Sequence, residues 1–191
     1  APQDAAIRGY NLYRSSAPFE SPAGGLKINS ALISGTLLDH LPPADGLYCF
    51  RASAVDSAGN ESELSNTAEI TLDTTPPWAT SIRYTPAGPF DSVSGRMGRG
   101  LVGVHLGVSE PLMAVPFLSI TPGGGVPIAV ELQKASETEY TGTFSITDST
   151  PSGTAYAVFS GRDLAGNRGT EIDSGATIPI DAGGPAVTQI V

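Results

Sequence analysis

Only one cysteine, Cys49, stands in the 191 residues, which excludes an internal disulfide, and only two lysines, Lys27 and Lys134, offer primary amines. With a formal charge of −9, the chain lacks the basic patches that nucleic-acid phosphates require, so nucleic acid is excluded as a partner. No apolar run approaches the roughly 18 residues of a membrane span, so no membrane insertion is expected. No basic-then-apolar leader opens the chain, and any export signal is expected upstream. No amphipathic helical stretch appears. Catalytic signatures are missing too: there is no G-x-S-x-G, H-E-x-x-H or P-loop, and neither histidine, His40 nor His105, has a nucleophile at a recognisable spacing. The sequence therefore predicts no enzyme activity.

What the chain does have is turn formers, 23 glycines and 16 prolines, set between short runs of alternating apolar residues. That pattern belongs to an all-β protein with many turns. Tyr48 to Asp56 alternate as a half-buried strand with Tyr48, Phe50, Ala52 and Ala54 on its apolar face, and Cys49 falls on the opposite one. The strand ends in Asp56-Ser-Ala-Gly-Asn60. A second such turn, Asp163-Leu-Ala-Gly-Asn167, lies 107 positions on. Ile70, Leu72, Asp73 and Pro77 recur as Ile178, Ile180, Asp181 and Pro185, now 108 apart. One nearly constant offset carrying a strand end, a turn and a linker marks a tandem array. Both aspartates are expected to accept backbone N–H bonds across their turns, with Gly59 and Gly166 at positive φ.

Further strands are expected at Tyr10 to Tyr13, with Tyr13 outward, and at about Ala31 to Leu38, with the stretch after Asn60 returning as a partner strand to Asp73. Asp73 to Pro77 reads as a short, stiff linker, because two prolines fix φ and restrict their neighbours. Beyond it, Val102 to Val108, Phe117 to Thr121, Val126 to Leu132, Tyr140 to Ile146, Ala155 to Gly161 and Thr177 to Ile180 each alternate with one buried face. Gly95 to Gly100 (GRMGRG) could cradle an anion, and a Gly-rich connection between the first two strands explains it as well.

IRGYNLYRS, LKIN and the stretch from Leu32 to Asn66 resemble the second half of a bacterial fibronectin type III domain. That likeness implies a tyrosine corner at Tyr48, whose hydroxyl would bond to nearby backbone. VGVHLGVSEPL, TEYTGTFSI, DLAGN and the closing Ile-Pro-Ile-Asp resemble bacterial Ig-like repeats of surface proteins, in which Ala155 would take the place of Tyr48. The resemblance implies tandem β-sandwiches. Residues 1–73 would form a partial fibronectin type III domain, lacking its N-terminal strands, and 74–181 an Ig-like sandwich; 182–191 would be a linker and the first strand of a further module. The missing strands would cover the face of Tyr10, Leu12, Phe50 and Ala52, and would come from upstream polypeptide or from a neighbouring subunit by strand addition.

The connectivity of such modules brings Asp73 toward Glu110, Asp163 and Asn167, with Asp39 and Asp45 approaching the same joint. These oxygens could hold calcium, which takes about six to eight. The function implied is a non-catalytic structural or adhesive spacer of a long extracellular or cell-surface bacterial protein. Two alternatives stand beside it. One is a carbohydrate-binding or positioning module of a secreted hydrolase, for which Tyr13 and Tyr156 are the outward aromatics. The other is a subunit of an extracellular filament completed by a neighbour. Glycans or a host or cell-surface protein are the partners these readings imply.

Overall fold

A computed structural model describes residues 6–184. Of residues 182–191, expected as a linker and the first strand of a further module, 185–191 lie outside the described residues. The chain is all-β, with a single short 3-10 turn at Pro22–Gly24 among the described residues. It divides into two compact units, Ala1–Thr74 and Thr75–Val191.

Unit 1 is one antiparallel sheet of β1 (Ile7–Ser15), β2 (Leu26–Lys27), β3 (Gly46–Asp56) and β4 (Ala68–Leu72), in the order β2-β1-β3-β4. The strand expected over Ala31 to Leu38 is reduced to one bridge between Tyr10 and Ile33. The reason lies in Asn29, whose side chain takes the ladder's place beside β1. Its Oδ1 accepts Leu12 N–H at 2.7 Å and its Nδ2 donates to Tyr10 O at 3.2 Å. The return strand after Asn60 is likewise shortened to β4. Ser62 and Ser65 accept the Ala54 and Ala52 N–H groups through their hydroxyls, at 2.9 and 3.0 Å, so side chains again replace backbone partners.

The packing of this sheet corrects the predicted face. Cys49, expected on the face opposite the apolar one, is fully buried and clusters with Tyr13, Phe19 and Leu64. Tyr13, expected outward, is 6% exposed, whereas Tyr10, Leu12, Phe50 and Ala52 are half-buried. A loop that delivers Phe19 covers the Tyr13 side, and burial follows the cover rather than side-chain size.

Unit 2 is a β-sandwich of eleven short segments. One sheet contains β5 (Ala79–Pro86), β8 (Gly100–Val108), β11 (Glu131–Lys134) and β12 (Glu139–Ile146), in the order β11-β12-β8-β5. The other contains β6 (Phe90–Asp91), β7 (Arg96–Met97), β9 (Phe117–Pro122), β10 (Ile128–Ala129), β13 (Gly153–Arg162) and β15 (Thr177–Ile180). Its order is β10-β9-β13-β15-β7-β6, and β14 (Arg168–Gly169) pairs with β13. Leu106, Ile120, Tyr140, Phe144 and Phe159 fill the space between the sheets. The predicted strand Val126 to Leu132 is split: β10 joins one sheet and β11 the other, and Val126 is exposed. Pro127 has no N–H to continue a ladder, and Val130 is the pivot, buried while its N–H donates to Leu118 O at 2.9 Å.

Candidate functional site

The two matching turns fold alike. Asp56 Oδ1 accepts the N–H groups of Ala58 and Asn60, both at 2.8 Å, and its Oδ2 accepts Asn60 Nδ2 at 2.9 Å. In the second copy, Asp163 Oδ1 accepts Gly166 and Asn167 N–H at 2.6 and 2.9 Å, and Oδ2 accepts Asn167 Nδ2 at 2.8 Å. Gly59 and Gly166 hold φ of 88° and 98°, as the turn requires. The Asn60 bonds to Asp56 hold that carboxyl below its ordinary pKa. Burial pushes the Asp163 carboxyl up, but the hydrogen bonds from Asn167 and the turn amides outweigh it and leave its pKa lowered.

Of the residues offered to calcium, Glu110, Asp163 and Asn167 fall in unit 2, where the Glu110 and Asp163 carboxylates come within 4.8 Å. Asp73 lies in unit 1, one residue past β4. Asp45 Oδ1 accepts the Thr74 N–H and hydroxyl at 3.0 and 2.8 Å, closing the end of the same unit. The arginines of GRMGRG are paired: Arg96 with Asp181 at 3.5 Å and Arg99 with Asp148 at 2.6 Å. His105 lies 3.8 Å from Glu139 on the outer side of β8, and His40 takes a 3.0 Å hydrogen bond from Arg14. Arg14 in turn stacks 5.1 Å from the Tyr48 ring centroid. The tyrosine corner forms: Tyr48 OH donates to Ala44 O at 2.8 Å.

Two groupings escaped the sequence reading. In unit 1, the Glu61 carboxylate accepts from Asn11 Nδ2 at 3.0 Å, Tyr13 OH at 2.6 Å and Ser53 Oγ, which holds its pKa down to about 2. In unit 2, the second turn sets Arg162 directly across from Arg168. Both are exposed, and Arg168 Nε donates to Ser160 Oγ at 3.0 Å. Along the same outward face lie Tyr156, Val158 and, opposite Ser160, Phe117, each about half exposed. Phe117 joins Tyr156 as an outward aromatic, while Tyr13 drops out.

No protein-family model matches the chain, and no curated protein matches it. Solved structures do. A tetra-tandem repeat in the extending region of a large adhesion protein is 17% identical over 89% of this chain and 43% of that one, with a TM-score of 0.37. The Bacteroides ovatus mixed-linkage glucan utilization locus protein SGBP-B, in complex with a mixed-linkage heptasaccharide, is 12% identical over 92% of this chain and 38% of that one, with a TM-score of 0.26. The chain thus spans less than half the length of either.

Proposed function

We propose that the chain is a non-catalytic structural or adhesive spacer of a long extracellular bacterial protein, in which fibronectin type III and Ig-like modules follow one another. The observation that carries this reading is how unit 2 ties its beginning to its end. Ala79 bridges Ile172 in parallel: Ala79 N–H donates to Glu171 O and Asp173 N–H to Ala79 O, both at 2.9 Å. Met97 pairs with Ile180 in the same sense, and Asp181 N–H donates to Met97 O at 2.9 Å. Segments that leave a parallel pair at opposite ends are sheared when the chain is pulled, so these bonds break together instead of unzipping one by one. Such an arrangement suits a module held under tension. Pulling the whole chain by its termini in a single-molecule experiment should rupture unit 2 in one event, and Ala79→Pro, which deletes one donor, should lower the force. A gradual, low-force extension of the wild type would sink the spacer reading.

A second reading is favoured by unit 1, where Tyr10, Leu12, Ile33, Leu37, Leu38 and Ala52 line an apolar cleft. We infer that a further polypeptide segment, from upstream or from a neighbouring subunit, packs there and completes a fibronectin type III sandwich. The Tyr48 corner supports that family for unit 1. A chain extended upstream should melt at a higher temperature in its unit 1 transition; an unchanged value would remove this part.

A further inference from the structure

We propose that the outward face of β13 and β9 in unit 2 binds an acidic polysaccharide, with Arg162 and Arg168 taking a uronate-type carboxylate and Phe117, Val158 and Tyr156 forming the floor for the sugar rings. Like charges set directly opposite each other on a sheet repel. Yet two of the chain's ten basic residues face each other across β13 and β14. Three other arginines pair with acids, Arg51 with Glu20, Arg96 with Asp181 and Arg99 with Asp148, and Arg14 donates to His40. Arg162 instead donates to Gly166 O at 2.8 Å and Arg168 to Ser160 Oγ. Among the described residues no carboxylate lies within 4.0 Å of either, so most of their guanidinium donors face outward. Two forks side by side are suited to a carboxylate, which accepts them bidentately.

The surroundings narrow the ligand. The outward positions of β13 and β9 are Thr154, Tyr156, Val158, Ser160 and Arg162, and Phe117 and Thr121, with Ser119 on the same side but buried, and there is no acidic side chain among them. On a chain of net charge −9 this is a strip that a polyanion can approach, and its charge is complementary to one. Phe117 lies opposite Ser160, one diagonal step from Arg162, so a ring resting on Phe117 and Val158 would put its carboxylate at the arginine pair. From Arg162 to Tyr156 the strip runs about 20 Å at the usual strand rise, long enough for several rings. A peptide fits less well, because β13 lies between β9 and β15 and offers no free backbone edge for strand addition.

The test is calorimetric titration of the full chain with oligogalacturonate at low salt, beside a neutral cello-oligosaccharide and a poly-glutamate of matched length. Oligogalacturonate should bind and weaken as salt rises; Arg162→Gln/Arg168→Gln should weaken it by roughly tenfold or more, and Phe117→Ala by less. The arginine double variant should keep or slightly raise the melting temperature of unit 2, since cross-strand repulsion is relieved. No binding by the wild type, equal binding by the double variant, or equal binding of either control ligand would overturn the proposal. It does not rest on the spacer reading: its failure would leave the shear pairing at Ala79 and Met97 untouched.

Discussion

Aligned on their turns, β3 and β13 bury opposite faces. In unit 2 the face of Ala155, Phe159 and Gly161 is buried beneath the second sheet. The matching residues of unit 1, Tyr48, Ala52 and Ala54, stay half-buried, and Cys49, Ser53 and Val55 on the other side are the buried ones. Their counterparts in unit 2 are Tyr156, Ser160 and Arg162, the strip assigned above to an acidic glycan. The turn therefore fixes which residues lie opposite each other, while the covering layer decides which face becomes core. A loop carrying Phe19 covers one face of unit 1, and that face is polar enough to hold buried Asn11, Asn29 and Ser53. Hydrogen bonds to Asn29 and Glu61 do in unit 1 what apolar packing does in unit 2.

The largest test of that contrast is to truncate one aromatic in each unit. Phe159→Ala should cost about 3–5 kcal/mol in unit 2, because the side chain is fully enclosed. Phe50→Ala, on the half-buried face of β3, should cost roughly a third of that in unit 1. Chemical unfolding of the whole chain, followed by hydrogen exchange to separate the units, measures both. Equal losses would mean that the Phe50 face is as well covered as the sandwich interior, and the comparison would collapse.

A smaller effect comes from acid. Glu61 is held at about 2 by Ser53, Tyr13 and Asn11, against an ordinary value near 4.5. A carboxylate with a depressed folded pKa contributes stability that is fully present above its unfolded value and is lost as pH falls through the folded one. Unit 1 should therefore weaken between about pH 4.5 and pH 2. Glu61→Gln should lower unit 1 stability at neutral pH and flatten its decline in acid. Thermal melts across that range decide it; a variant that declines as steeply as the wild type would move the acid sensitivity elsewhere in unit 1, to Asp56 first.

Much of this architecture was legible because alternation and turn chemistry are local. Val102 to Val108 and Thr177 to Ile180 needed only their own side chains, whereas the corner at Tyr48 was expected only from the resemblance to a fibronectin type III domain. Where side chains do the work of backbone, periodicity has no means of seeing it: Asn29, Ser62 and Ser65 end strands that the apolar pattern would continue. The split at Val130 was equally hidden, since both halves alternate correctly and only Pro127 hints that the ladder changes hands. The face of unit 1 was misread because its cover, the Phe19 loop, has no periodic signature of its own. The arginine pair, by contrast, was readable. In RDLAGNR the bonds between Asp163 and Asn167 force the flanking residues into register, and the same logic sets Val55 across from Glu61 in the first copy.

The smallest expected effect concerns metal. Both turns spend their aspartate on two turn amides and the asparagine side chain, and the second does so with the carboxyl fully buried. Asp163 is thereby held by its own loop: two backbone amides and the Asn167 side chain satisfy it without a cation, and Asn167 turns its amide nitrogen, not its oxygen, toward it. A cation drawn to Glu110 would have to share an oxygen already committed to the turn. The melting of unit 2 should therefore be the same with EDTA as with added calcium. Should calcium raise it by several degrees, the Glu110–Asp163 pair would be coordinating, and the two turns, each closed by an Asp–Asn side-chain bond, would differ in what they hold.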